Sequence, residues 1–266
     1  MNVLTRNNVT RLGVADGPPM LLVHGFGCDQ NMWRGVLPYF EHTHRVVLID
    51  LVGAGGSDLA SFDPQRYGDL QGYADDVLDV CAELDLQGVH LVGHSVSAMI
   101  GVLAANREPE RFASLVMVAP SPRYLNDDGY VGGFSEADIQ DLLESLDSNY
   151  LGWSSAMAPV MMGNGDRPQL ADELTNSFCR TDPAIASSFA RVTFTSDNRA
   201  DLPRLQLPTL VLQAADDVIS PVSVGDYVHQ QVAGSTLVRL AATGHCPHLS
   251  APEETATAIS AFLRDH

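Results

Sequence analysis

The chain contains no lysine: all 15 of its positive residues are arginine. That absence excludes Schiff-base catalysis, pyridoxal-phosphate chemistry and phosphate loops that depend on a lysine. Positive residues of any kind are few beside 33 acidic ones, and the formal charge of −18 repels phosphate backbones. With no basic run to offset it, neither nucleic acid nor an anionic membrane is an expected partner. Long hydrophobic runs are missing too. The opening Met1-Asn2-Val3-Leu4-Thr5-Arg6-Asn7-Asn8 lacks the apolar stretch of a secretory signal, and no later segment has the roughly 18 apolar residues of a membrane span. A soluble, cytoplasmic protein is expected. Cysteine is scarce, and Cys28, Cys81, Cys179 and Cys246 stand too far apart for a C-x-x-C pair. They read as buried free thiols rather than a zinc or redox motif.

What is present is enough apolar residue for one sizeable core, 45% of 266 residues. Short runs rich in branched side chains recur at Met20 to Val23, Arg45 to Asp50, Val89 to Val92, Leu115 to Ala119, Thr209 to Gln213 and Thr236 to Leu240. They read as buried parallel strands. Helical stripes alternate with them, for example Ala74, Val77, Leu78, Cys81 and Leu84, and a last one from Glu253 to Leu263 with Ala256, Ile259, Ala261 and Phe262 apolar. The expected fold is α/β, a mostly parallel doubly wound sheet. About 90 residues separate Ala119 from the next strand, where a crossover needs only a dozen. Inside the gap, Ser135-Glu136-Ala137-Asp138 has capping-box spacing and Asp182-Pro183 marks another helix start. We therefore expect a core at 1–120 and 205–266 and an inserted helical lid with its connections at 121–204.

The chemistry centres on Val92-Gly93-His94-Ser95-Val96-Ser97-Ala98, which follows a strand and opens an apolar helix reaching about Asn106. This is the context of a nucleophile elbow on the α/β-hydrolase fold. Such a turn tolerates only small neighbours, here Gly93, Ser97 and Ala98, with Gly101 a turn further on. Ser97 stands where G-x-S-x-G has its last glycine. His24-Gly25-Phe26-Gly27 follows an earlier strand, the place for a second oxyanion donor, so the N–H groups of Phe26 and Val96 are the expected oxyanion hole. Two further segments lie past strand ends, where open sheets bind ligands. Ala215-Asp216-Asp217-Val218 offers an acid and Thr243-Gly244-His245-Cys246-Pro247-His248 a base. Serine is a poor nucleophile until a histidine takes its proton, and that histidine needs a carboxylate to fix its tautomer. The assignment is Ser95 as nucleophile, His245 as base and Asp217 as its orienting acid, with Asp216 and His248 capping loops or solvated.

Two other motifs are weaker. His245-Cys246-Pro247-His248 could ligate a metal, but no matching cluster lies nearby in sequence, and Gly53-Ala54-Gly55-Gly56-Ser57-Asp58 lacks the final glycine of a dinucleotide loop. Neither a metal nor a cofactor is expected.

The same residues carry a resemblance over nearly the whole chain. HGFGCDQNMW at 24–33, GHSVSAMIGVLA at 93–104, SPRYLND at 121–127, GGF at 132–134 and GHCPHLS at 244–250 resemble the plant strigolactone and karrikin receptor family and its bacterial stress-signalling relative. Ser97, atypical for the generic motif, also occurs in that plant family. The resemblance implies a four-helix, V-shaped lid over an apolar pocket and slow hydrolysis of small esters or butenolide enol ethers. Carried over by position, the pocket wall would include Phe26, Tyr124, Phe134, Leu142, Trp153 and Phe194, with Met157 and Leu174 where the family commonly has phenylalanine. Two functions follow: a hydrolase that turns over a small apolar ester, lactone or butenolide, or a ligand sensor that uses slow cleavage to recruit a signalling protein through its lid. A dehalogenase on this fold would need a carboxylate where Ser95 stands.

Overall fold

The central strands are near-continuous apolar runs whose side chains are buried on both faces, which is what a sheet covered on two faces requires. In the computed structural model, which describes residues 2–266, β2 (Pro19–Val23) sends Leu21 and Val23 into one core and Met20 and Leu22 into another. Met1, where the expected 1–120 segment begins, lies outside the described residues. The sheet runs β1-β3-β2-β4-β5-β6-β7, with β1 (Thr10–Gly13), β3 (Arg45–Ile49), β4 (Val89–His94), β5 (Phe112–Val118), β6 (Thr209–Asp216) and β7 (Thr236–Thr243). Only β1 is antiparallel, pairing Thr10 with Leu48. The other pairings are parallel and in the register that brings Val23, Gly93 and Met117 side by side.

A short helix α1 (Val3–Arg6) precedes β1. Helices α2 (Leu70–Glu83) and α3 (Val96–Arg107) pack on one face of the sheet. The expected stripe of α2 is inside, Ala74, Val77 and Cys81 being fully buried. Between β5 and β6 the chain makes α4 (Glu136–Ser148), α5 (Tyr150–Met162), α6 (Pro168–Cys179) and α7 (Pro183–Thr195). Ser135 and Asp138 form the capping box of α4, and Asp182 caps α7 ahead of Pro183. The two ends of this insertion meet where the Asn198 N–H donates to Pro122 O (2.8 Å). After β6 come α8 (Val222–Gln231), α9 (Pro247–Ser250) and α10 (Pro252–Leu263).

Helix α10 covers the second face with Ala256, Ile259 and Phe262, joined by Trp33 and Phe40. Burying each such large apolar side chain contributes about 1.5–3 kcal/mol. Three expectations need correction. Ala261 faces solvent, because only every third or fourth residue of α10 meets the sheet. Strand β7 is an edge strand rather than a buried one: four of its eight residues are exposed and Leu240 alone of them is fully inside. Cys179 is exposed, while Cys28, Cys81 and Cys246 are buried. At the β7 edge, Glu254 of α10 accepts the N–H groups of Ala241 and Ala242 (2.6 and 3.1 Å).

Candidate active site

The site is assembled at the carboxyl ends of four strands, and its sharpest local feature is the turn between β4 and α3. Ser95 sits there at φ 57°, ψ −124°, a left-handed conformation that costs a non-glycine residue of order 1–3 kcal/mol. The neighbours accommodate it. A Cβ on Gly93 would lie 2.3 Å from Ser97 O, and one on Gly25 would lie 2.6 Å from the His94 ring. The Ser95 N–H donates to Val118 O (2.8 Å), which fixes the turn against β5. Ser97, in place of the usual glycine, donates its hydroxyl to His24 O and so ties the elbow to the turn after β2.

Past β6, the loop carries Asp217, whose Oδ1 accepts the N–H groups of Ile219 (2.8 Å) and Ser220 (3.1 Å). Its Oδ2 accepts from His245 Nδ1 (2.7 Å), and Ser95 Oγ–H lies 2.7 Å from His245 Nε2 to donate. One nitrogen is thus held as a donor to the carboxylate, which leaves the other as the acceptor that can take the serine proton. All three residues are at least 95% buried. Asp216, by contrast, is exposed. The backbone of His245 is anchored from two sides: its carbonyl accepts from His94 Nε2 (2.8 Å), and its N–H donates to Met161 O in α5 (2.8 Å).

Val96 is the first residue of α3, so its N–H is among those with no acceptor inside the helix, and Phe26 lies in the turn after β2. Phe26 is the hub of an aromatic cluster, its ring centroid 6.1 Å from Trp153, 5.7 Å from Phe178, 5.8 Å from Phe189 and 5.8 Å from Phe194. Tyr124 stacks edge-on to Phe194, and its hydroxyl reaches within 3.3 Å of Ser95 Oγ. Burial pushes the Tyr124 phenol well above its ordinary range, so it remains a protonated donor. Phe134, Leu142, Trp153 and Met157 line a cavity of about 620 Å³ on the helical insertion, while Leu174 is fully buried in α6. Beside Phe26 and Phe189 about 10 Å³ is open, no more than the space of a single water. A larger cleft of about 1080 Å³ lies between β7 and α10, and its lining shares no residue with Ser95, Asp217 and His245.

Several residues here escaped the sequence. Phe178 and Phe189 complete the aromatic wall around Phe26; their only signal was helical spacing from Leu174 and Ile185, which a packed core would share. His248, expected to cap its loop or be solvated, is fully buried with its ring against Trp33 (4.5 Å) and His94 (4.3 Å). Burial holds its imidazole well below the usual range, so it is neutral. Cys28 and Cys246 are neighbouring buried thiols. The neighbouring Cys246 lowers the Cys28 thiol, while Cys28 and burial push the Cys246 thiol up. The loop at 53–58 borders the aromatic cluster through Gly53 and Ala54. Among the described residues, no group of three His, Cys, Asp or Glu side chains is placed to hold a metal, and no helix is long and apolar enough to cross a membrane.

The model of the alpha/beta hydrolase fold family matches residues 18–252. Strigolactone esterase D14 of Arabidopsis thaliana is 41% identical over 264 residues, 99% of this chain and 97% of that protein. Karrikin insensitive 2 receptor IA of Petunia hybrida is 41% identical over 238 residues, 89% of this chain and 86% of its own. Among solved structures, a hydrolase from Oleispira antarctica superposes with a TM-score of 0.96 at 40% identity, covering 100% of this chain and 97% of its own.

Proposed function

The chain belongs to the alpha/beta hydrolase fold family, among the homologues of strigolactone esterases and karrikin receptors, and from that premise we propose that it cleaves small esters, lactones or butenolide enol ethers by Ser-His-Asp acyl transfer. The observation that carries this reading is the pair of 2.7 Å contacts through His245, one to Asp217 and one to Ser95.

In this mechanism His245 Nε2 takes the Ser95 proton as Oγ attacks the substrate carbonyl carbon. The oxygen that becomes negative is received by the N–H groups of Phe26 and Val96, whose orientation is fixed before the reaction begins. Collapse of the tetrahedral intermediate expels the alcohol or enol, which leaves with the proton from His245. A water then gives a proton to His245 and attacks the acyl-serine, and as this second intermediate collapses Ser95 Oγ leaves with the proton from His245, which releases the acid and restores the serine hydroxyl. Asp217 keeps its charge throughout and stabilises the imidazolium. The segment 121–204 acts as a lid: Trp153 and Phe194 pack over Phe26, so the lid must part from Phe26 to admit an acyl group to an apolar, water-poor site. The core at 1–120 and 205–266 supplies every triad and oxyanion group, and no cofactor takes part.

A second reading, a sensor that recruits a protein partner through the lid, is favoured by one surface feature. Helix α5 carries no charged residue in a chain of net charge −18, and its exposed side presents Leu151 and Val160. Such an uncharged outer face suits a partner surface. The test for both is a time course of fluorophore release from a fluorogenic butenolide at known protein concentration, run beside Ser95→Ala. Many turnovers, lost in the variant, support the hydrolase; release that stops near one equivalent supports the sensor. Undiminished release by a folded Ser95→Ala protein overturns the mechanism.

A further inference from the structure

Backbone carbonyls in the last turn of a helix have no N–H partner within it, so what they bind outside the helix fixes the position of both. At the end of α5 that partner is the loop of His245. Met161 O accepts the His245 N–H (2.8 Å), and Met162 O accepts from Asn164 Nδ2 (2.9 Å). The same amide nitrogen donates to Thr243 O (2.9 Å), two residues before His245. The Asn164 carbonyl oxygen accepts from Arg167 Nη2, while Arg167 Nη1 donates to Ser250 O (2.7 Å), on the far side of His245. Asn164 therefore uses both its donors and its acceptor, and the turn 163–167 grips the segment 243–250 before and after the histidine. The approach is backbone to backbone: a Cβ on Gly244 would stand 1.9 Å from Met162 O. Asn164 itself is left-handed, φ 55°, a conformation asparagine and glycine accept most readily.

We propose that Asn164 is a positioning residue for His245, holding the histidine loop against the end of α5 so that the imidazole stays in line with Ser95. The proposal rests on the Ser95-His245-Asp217 mechanism above. Asn164 and Arg167 are half-buried and Asn164 makes its contacts through its side-chain amide, so water can replace part of what a substitution removes. The consequence is a misplaced imidazole, to which rate is far more sensitive than folding.

Two variants separate the amide from the backbone conformation. Asn164→Asp keeps the shape but cannot donate, and Asn164→Gly keeps the positive φ but has no side chain. With p-nitrophenyl acetate as probe, both should lower kcat about fivefold to fiftyfold with KM within about twofold. Labelling of Ser95 by a fluorophosphonate, which needs His245 but no turnover, should slow in parallel. Arg167→Met leaves both Asn164 donor bonds and should give a smaller loss of the same kind; it decides the matter if the Asn164 variants do not fold. Wild-type rates in Asn164→Gly would show that only the backbone conformation matters and would overturn the proposal, as would a raised KM at unchanged kcat in any of the three. Ser95→Ala and His245→Ala run alongside: if both lose labelling while the Asn164 variants keep it, this proposal alone falls. Labelling retained by His245→Ala removes the triad reading itself.

Discussion

Among the described residues, two buried histidine-aspartate pairs stand out, His24 with Asp50 and His245 with Asp217, and the second faces a serine hydroxyl. His24 and Asp50 follow β2 and β3, are each 1% exposed, and approach to 3.8 Å. Asp50 is saturated: it accepts from the Gln30 N–H (2.8 Å), Gln30 Nε2 (3.1 Å), Asn8 Nδ2 (2.7 Å) and the Gly56 N–H (2.9 Å). His24 is saturated as well, since its Nε2 accepts the Leu51 N–H (3.0 Å) and its Nδ1 donates to Gly25 O (2.8 Å). Asp217 likewise holds two backbone N–H groups, yet it spends its second oxygen on His245. His245 in turn aims its remaining nitrogen at Ser95. The same two residue types therefore staple loops in one place and leave a ring nitrogen to a serine hydroxyl in the other, according to whether the last nitrogen is already bonded to backbone.

The largest effects should fall on one side of this contrast. Ser95→Ala and His245→Ala should each lower hydrolysis by about 10⁴-fold or more without shifting the urea midpoint. Asp217→Asn, which preserves shape but presents the wrong tautomer to His245, should cost about 10²–10⁴-fold in kcat. Asp50→Ala should do the opposite: unfolding free energy drops by about 2–4 kcal/mol as buried donors lose their acceptor, while kcat per folded molecule stays within about threefold. A stable Asp50→Ala protein with no activity would erase the distinction.

Acid should weaken the fold through the buried imidazoles. His248 is held neutral in the folded protein by burial, with His94, His245 and His24 adding to the effect. Its unfolded counterpart binds a proton below about pH 6.5. Stability is therefore full above that pH and falls as pH drops toward the lower folded value, by about 1.4 kcal/mol per unit for one such group. Urea midpoints from pH 7 to 5 should decline, and less steeply in His248→Asn. His44 and His90, also lowered by burial, add in the same direction. The smallest change should be Asp216→Ala, whose side chain is exposed, with kcat within about twofold.

How much of this was visible in the sequence depended on whether the signal was local. The strained turn at Ser95 could be inferred because Gly93, Ser97 and Ala98 leave room beside it, and the Ser, Asp and His segments each follow a strand. Strand β1 could not, since Leu12 is its only large apolar residue and the strand lies exposed at the sheet edge. Asp216 and Asp217 differ by one residue of backbone rotation: Asp217 is the acid assigned from the sequence, and in the folded loop it is the Asp217 carboxylate that meets His245 while Asp216 is exposed. His248 looks polar in sequence and becomes buried through Trp33 and His94, both distant in the chain. Phe178 and Phe189 share their periodicity with any packed helix, so nothing local marked them as neighbours of Phe26.

An open sheet has two edges, and each is a row of donors and acceptors on which a second chain could continue the ladder. At β7 the Glu254 carboxylate occupies two of those donors and places a negative charge in their path. A copy of this acidic chain that tried to add a strand there would have to displace those bonds while approaching like charge, so the fold guards its own edge against aggregation.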